Sequence, residues 1–186
     1  MAYFPAFIKL DNLNILIVGG GKIATEKLEH LLDFTSNIEI IAQHINNDMQ
    51  KLIDGNNLKS NIKKYQKSDI DSFGIIIVAV DDIPLQKEIF DEAKLLPNTL
   101  VNSVDSTDYC DFIFPSYIKK DDLTIAVSTS GSSPAMAKYL RKFLENLIPN
   151  SIGEFLKQMK GYRKTMPKGK REWSFWIIKP KNMLII

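Results

Sequence analysis

Ile15 to Val18 is an unbroken apolar run, and after a run of glycines the apolar positions change to helical spacing at Ala24, Leu28, Leu31 and Leu32. That change of period predicts a strand, a tight turn and a helix. A second apolar run, Ile38 to Ala42, predicts the next strand, so the first unit reads as β-α-β with a right-handed crossover and a parallel sheet. "NNDMQKLID" has the pattern of a short polar helix, and "NIKKYQ" that of a weak strand at a sheet edge. "GIIIVAV", Gly74 to Val80, is apolar throughout, as a strand covered on both faces must be. The helix that follows has Asp81 or Asp82 as its cap and Pro84 in its first turn, and it ends before Pro97. "TLVNSV" then predicts one more strand. Strands and helices alternating in this way over about a hundred residues predict an α/β, Rossmann-like, doubly wound parallel sheet.

The pattern changes after Phe112. "FIFPSYIKKDDLTIAVSTSGSSP" reads as strand, charged turn, strand and a loop of small residues. Ser133 then caps, and Pro134 opens, a helix with Met136, Leu140, Phe143, Leu144 and Leu147 on its apolar face, which is expected to be core or dimer interface. "SIGEFLKQMKGYRKT" predicts a final basic amphipathic helix, and "MPKGKREWSFWIIKPKNMLII" has no clear period. The expected organisation is a Rossmann-like domain over 1–112, a small α+β dimerisation and substrate module over 113–149, and a helical C-terminal segment over 150–186.

Composition narrows the classes. At 186 residues, 45% hydrophobic and 25% charged, the chain is an ordinary globular one with a sizeable core. Its net charge of +2 conceals a split, because Ser151 to Ile186 carries nine Lys/Arg against two Glu. Such a surplus suits a solvated helical face or a polyanionic partner, and the former is the commoner case. We expect no nucleic-acid partner. "MAYFPAFIKL" lacks a basic n-region and a long apolar core, and no apolar stretch approaches membrane-spanning length, so a cytoplasmic protein with no membrane partner is expected. One cysteine excludes an internal disulfide, and with only His30 and His44 a Cys/His zinc site has too few ligands. No metal site is expected.

The glycine turn carries the first chemistry. In "GGGKIA", Gly19, Gly21 and Ala24 occupy G-x-G-x-x-[GA] positions between strand and helix. The first glycine permits the turn, the second lets backbone approach a pyrophosphate, and the small third residue lets the helix pack on the strand. The helix N-terminus presents unpaired N–H groups to the phosphates. The competing reading is a glycine-rich turn that binds nothing. The acidic residue expected at the end of the second strand is missing, since Glu39 lies inside it and the end carries Gln43 and His44. Either can hydrogen-bond a ribose, and no arginine follows to receive a 2′-phosphate, so NAD is favoured over NADP.

The second cluster is "VNSVDSTDYCDF". Asp105 leaves the end of a strand, where ligands bind open sheets, yet on residue type alone it also suits a turn or cap. Asp108 and Asp111 read as loop and cap residues, and Cys110 as a half-buried small residue. "STSGSSP" offers hydroxyls and N–H groups at a helix start, which suits a carboxylate ligand or an ordinary capped helix equally.

Together, "FPAFIKL", "GGGKIA", "VNSVDSTDYCDFIFPS" and "DLTIAVSTSGSSPAMAKYLRKFLE" resemble the precorrin-2 dehydrogenase and sirohydrochlorin ferrochelatase family, the dehydrogenase part of siroheme synthase, from about Phe4 to Met159. The resemblance implies NAD-dependent oxidation of precorrin-2 to sirohydrochlorin and, in some members, insertion of ferrous iron as a substrate to give siroheme. It also implies a homodimer held by the second module. Carried onto this chain, it gives Asp105 the acid–base role. It puts Lys22 and Ile23 on the cofactor turn, Gln43 and His44 on the ribose side, and Ala79, Val80 and Asp81 where the cofactor passes. The polycarboxylate substrate gives Ser128, Ser130, Ser132, Ser133 and Lys138 a binding role, with Lys119, Lys120, Arg141 and Lys142 as further candidates. Ser103 stands where an aliphatic residue is more usual, and Gln43 where proline is frequent. No methyltransferase domain is recognisable in these residues, so precorrin-2 is expected to come from another enzyme. A regulatory Rossmann module that senses NAD without turnover is the alternative function.

Overall fold

The computed structural model describes residues 3–165, in two compact units, Tyr3–Ile113 and a second that begins at Phe114. The patternless stretch after residue 165, with most of the basic surplus, lies outside the described residues.

In the first unit five parallel strands lie in the order β3-β2-β1-β4-β5, where β1 is Ile15–Val18, β2 Ile38–Ala42, β3 Lys59–Ile62, β4 Ile75–Val78 and β5 Leu100–Ser103. Helices α1 (Lys22–Leu32), α2 (Asn47–Asn56) and α3 (Ile83–Ala93) alternate with them. β1 and β4 are central, paired Ile15 to Ile75 through Val18 to Val78, and every residue of both strands is buried. Covering on both faces explains why their sequences show no alternation. Truncating one of these side chains, for instance Ile17→Ala, should cost about 2–5 kcal/mol.

Local chemistry sets the element boundaries. Asp82, not Asp81, caps α3, its carboxylate accepting from the Leu85 N–H at 3.0 Å. Asn46 caps α2 by accepting from the Met49 N–H at 2.8 Å. β3 differs from expectation: it forms at Lys59–Ile62, ahead of most of "NIKKYQ". Its position follows from pairing with β2, Glu39 opposite Lys59 and Ala42 opposite Ile62, and this polar edge strand has no apolar run to reveal it. Beyond β5 the chain doubles back along that strand. Asp111 donates its N–H to the Val101 carbonyl at 2.8 Å and accepts the Val101 N–H on its carboxylate at 2.9 Å.

In the second unit, β6 (Ser116–Lys120) and β7 (Leu123–Val127) form an antiparallel hairpin, followed by α4 (Pro134–Leu147) and α5 (Ile152–Thr165). Ser133 caps α4 through the Met136 N–H at 3.2 Å, as its position before Pro134 predicted. Of the residues of α4 only Ala137 is buried, and Met136, Tyr139, Leu140, Phe143 and Leu147 are all exposed in the single chain.

Candidate active site

A cleft of about 630 Å³ runs across the C-terminal ends of the five parallel strands. This is where open α/β sheets bind ligands, because the connections leaving the strands on either side of the topological switch part to opposite faces and open a crevice there. It brings together Gly19, Gly21, Lys22 and Ile23 after β1, Gln43 and His44 after β2, Ala79, Val80 and Asp81 after β4, and Asp105 after β5. Ala24 is not among the lining residues; it is fully buried, consistent with a packing role between helix and sheet.

The glycines differ in what they do. Gly19 has φ +131°, and a Cβ there would lie 2.2 Å from the Ala79 carbonyl oxygen. Gly20, which the fingerprint leaves unspecified, is just as constrained: its Cβ would lie 2.0 Å from the His44 carbonyl oxygen. Its own carbonyl accepts from the Asn46 N–H at 2.9 Å, and Asn46 also bonds the Thr25 hydroxyl at 3.0 Å. The turn is therefore clasped from the α2 side. Gly21 is the opposite case, since a Cβ would meet nothing within 4 Å at a position that lines the cleft. It is also the N-cap of α1 and contributes no side-chain cap, so the first-turn N–H groups keep their capacity to bind an anion. A close-packed turn, open space at Gly21 and an uncapped helix start together fit a dinucleotide pyrophosphate.

Sequence reasoning missed Lys63, Tyr65, Leu85 and Val104, which also line the cleft. Lys63 and Tyr65 follow the misplaced β3, so correct strand pairing would have been needed to find them. The Lys63 ammonium is paired with Asp69 at 2.6 Å. The Tyr65 hydroxyl donates to Glu92 at 2.6 Å, and burial with that carboxylate pushes its ionisation well above the usual tyrosine range. Glu39 is spent inside the sheet, accepting from the Asn61 amide at 2.7 Å.

Asp105 is exposed and receives a hydrogen bond at 3.3 Å from the amide of Gln86, a fully buried residue of α3. Asp111 behaves as a structural carboxylate, bonded to the Val101 N–H and to the Lys94 ammonium, and Asp108 is exposed. The Cys110 sulfur accepts from the Ser103 N–H at 3.2 Å and contacts the Ser103 and Ser106 carbonyls at 3.0 and 3.2 Å, which closes the loop carrying Asp105. Burial pushes its thiol above the ordinary value. Nothing here activates it as a nucleophile.

In the second unit Ser128, Ser130, Ser132, Ser133 and Lys138 gather at the β7–α4 loop and the first turns of α4. The Ser128 hydroxyl accepts from the Ser130 N–H at 3.0 Å, and Ser133 is committed to its cap. Ser128, Ser130, Ser132 and Lys138 are exposed. Lys120 donates to the Ile148 carbonyl at 3.0 Å and Arg141 pairs with Glu145 at 2.5 Å, so both cations have internal partners; Lys142 is exposed.

Residues 6–116 match a protein family described as putative NAD(P)-binding, and residues 120–147 match one described as sirohaem biosynthesis protein central. The first match bears out NAD as the cofactor of this unit. The chain is 38% identical over 154 residues to a siroheme synthase of Neisseria meningitidis, covering 83% of this chain and 32% of that protein. It is 35% identical over 166 residues to a siroheme synthase of Pseudoalteromonas atlantica, covering 89% of this chain and 36% of that one. It thus spans about a third of the length of these curated relatives. A solved structure of SirC, precorrin-2 dehydrogenase, shares the fold, with a TM-score of 0.77 at 22% identity over 92% of this chain and 84% of that one. Among the described residues no helix is long and apolar enough to cross a membrane.

Proposed function

Because this chain belongs to the putative NAD(P)-binding family and is similar to siroheme synthases, we propose that it oxidises precorrin-2 to sirohydrochlorin with NAD. The observation that carries the reading is that the glycine turn and Asp105 line one cleft. Oxidation of a reduced tetrapyrrole removes two hydrogens, one as hydride and one as a proton. NAD, when bound, supplies the hydride acceptor. The chain's residues supply orientation and a base. Backbone at Gly19 to Ile23 grips the pyrophosphate, and Gln43 and His44 hydrogen-bond the ribose. Pairing of Lys63 with Asp69 leaves its ammonium less available to a 2′-phosphate, which favours NAD over NADP. Ala79, Val80 and Asp81 form the wall along which the cofactor lies. Asp105, exposed at a strand end, takes up the substrate proton.

The second unit completes the assignment. Ser128, Ser130, Ser132 and Lys138, exposed around the start of α4, bind the substrate's carboxylates, with the Ser133-capped helix start beside them. The exposed apolar face of α4 serves a homodimer. Ferrous iron is a second substrate in the same reading, with Asp105 collecting pyrrole protons as the metal enters the ring. The domain assignment 1–112, 113–149 and 150–186 and a cytoplasmic location belong to the same proposal.

Anaerobic incubation of the protein with precorrin-2 and NAD tests it. The absorption spectrum should change to that of sirohydrochlorin as NADH accumulates, and a parallel reaction with ferrous iron should proceed to siroheme. NAD binding with no redox change on precorrin-2 would refute the enzymatic reading in favour of NAD sensing.

A further inference from the structure

Gln86 is the one fully buried polar side chain among the described residues of α3, on the face that also buries Ile89 and Ala93. Its amide nitrogen donates to two acceptors, the Val80 carbonyl at 2.8 Å and the Asp105 carboxylate at 3.3 Å. Val80 follows β4 and Asp105 follows β5, and both line the cleft. A single buried amide therefore ties the strand end on the cofactor side to the carboxylate on the reaction side. Its amide oxygen is buried without a hydrogen-bond partner. Burying an amide with half its capacity unused is unfavourable, and a leucine or methionine would fill the same volume without that cost, giving up only the bonds to Val80 and Asp105. Packing alone gives no reason for glutamine here.

We propose that Gln86 is a positioning residue that holds the Asp105 carboxylate in line with the cofactor strand end for proton uptake. This rests on the functional reading above, in which Asp105 is the base. Asp105 is exposed on a loop and is held through its side chain by Gln86, so its direction depends on that bond. Gln86 itself cannot wander, because its stem is packed in the helix–sheet interface. The donor thus transfers the rigidity of the core to a carboxylate that would otherwise sample several rotamers, and orientation of a reacting group is worth orders of magnitude in rate.

The test uses Gln86→Met, which keeps the length of the side chain and cannot donate, and Gln86→Leu should the first variant fold poorly. In protein labelled at aspartate carboxyl carbons, the Asp105 NMR signal is identified by its loss in Asp105→Asn. We expect that signal to move in Gln86→Met and kcat for precorrin-2 to fall about tenfold, with KM and the NAD dissociation constant within about twofold of wild type. A merely structural glutamine predicts the reverse, a lowered melting temperature with kcat intact. An unmoved Asp105 signal, or a moved signal with wild-type kcat, overturns the proposal while wild-type turnover leaves the functional reading standing. A wild-type protein that does not oxidise precorrin-2 sinks both together.

Discussion

Gly20 and Gly21 are adjacent, and replacing each by alanine should produce opposite defects. At Gly20 the new methyl would lie 2.0 Å from the His44 carbonyl oxygen, backbone that cannot swing aside as a side chain can. Restoring ordinary contact requires a displacement of roughly 1 Å in a turn also held by Asn46, and overpacking of this kind costs about 1–3 kcal/mol. At Gly21 the backbone is extended, φ −87° and ψ −170°, and a methyl meets nothing within 4 Å. The stability cost is then only the poorer N-cap, about 0.5–1 kcal/mol, or a few degrees in Tm. The methyl does, however, occupy space at the helix start that a pyrophosphate needs. Forfeiting one hydrogen bond to a charged group, about 1.5–3 kcal/mol, raises the Kd for NAD roughly 10- to 100-fold. Calorimetric titration with NAD, beside thermal melts of both variants, reads the two effects separately. Gly21→Ala binding NAD as tightly as wild type would mean that the pyrophosphate does not approach α1, and the assignment of the turn would fail.

Other perturbations probe other parts of the cleft. Asp105→Ala should abolish turnover of precorrin-2 while NAD binding and Tm stay near wild type, because the carboxylate is exposed and Gln86 keeps its bond to the Val80 carbonyl; retained turnover removes it from the mechanism. Tyr65→Phe forfeits the bond to Glu92 and should lower unfolding free energy by about 1–2 kcal/mol in urea titrations, an unchanged midpoint counting against that bond. Cys110 offers a pH-dependent check. Burial raises its thiol in the folded chain, so the native protein keeps a proton that the unfolded chain has lost. The stabilisation is complete below the unfolded value of about 8.5 and is lost as pH rises through the folded value. The stability difference between wild type and Cys110→Ala should therefore shrink in alkaline solution, and a growing difference would contradict the burial argument.

Some of this was legible in the sequence and some was not, for physical reasons. β1 and β4 could be found because strands covered on both faces must be apolar, and α4 because Ser133 and Pro134 mark its start by local chemistry. The side of the cleft built by Gly19, Gly21 and Asp105 was likewise expected, since loops after parallel strands share one edge of the sheet. β3 was displaced because "KSNI" has no periodic signal and its register is imposed by β2. Lys63 and Tyr65 were lost with it. Gln86 was invisible for a different reason: a polar residue in a helix reads as solvent-facing, and only the packed structure shows it buried. Gly20 escaped because its constraint comes from His44, two elements away.

The return of the chain along β5 bears on how this protein associates. A strand at the margin of a sheet offers its backbone to any passing strand, and such margins are where chains join into aggregates. Here Asp111 occupies both backbone groups of Val101, and Cys110 engages those of Ser103, so the chain acts as its own stopper on that side. The opposite margin, β3, is four residues long, begins with a lysine and has a single large apolar side chain, Ile62. Recruitment of a sixth strand is thus discouraged at both margins of the sheet, and on the β5 side by the same stretch of chain, residues 104–112, that delivers Asp105 to the cleft.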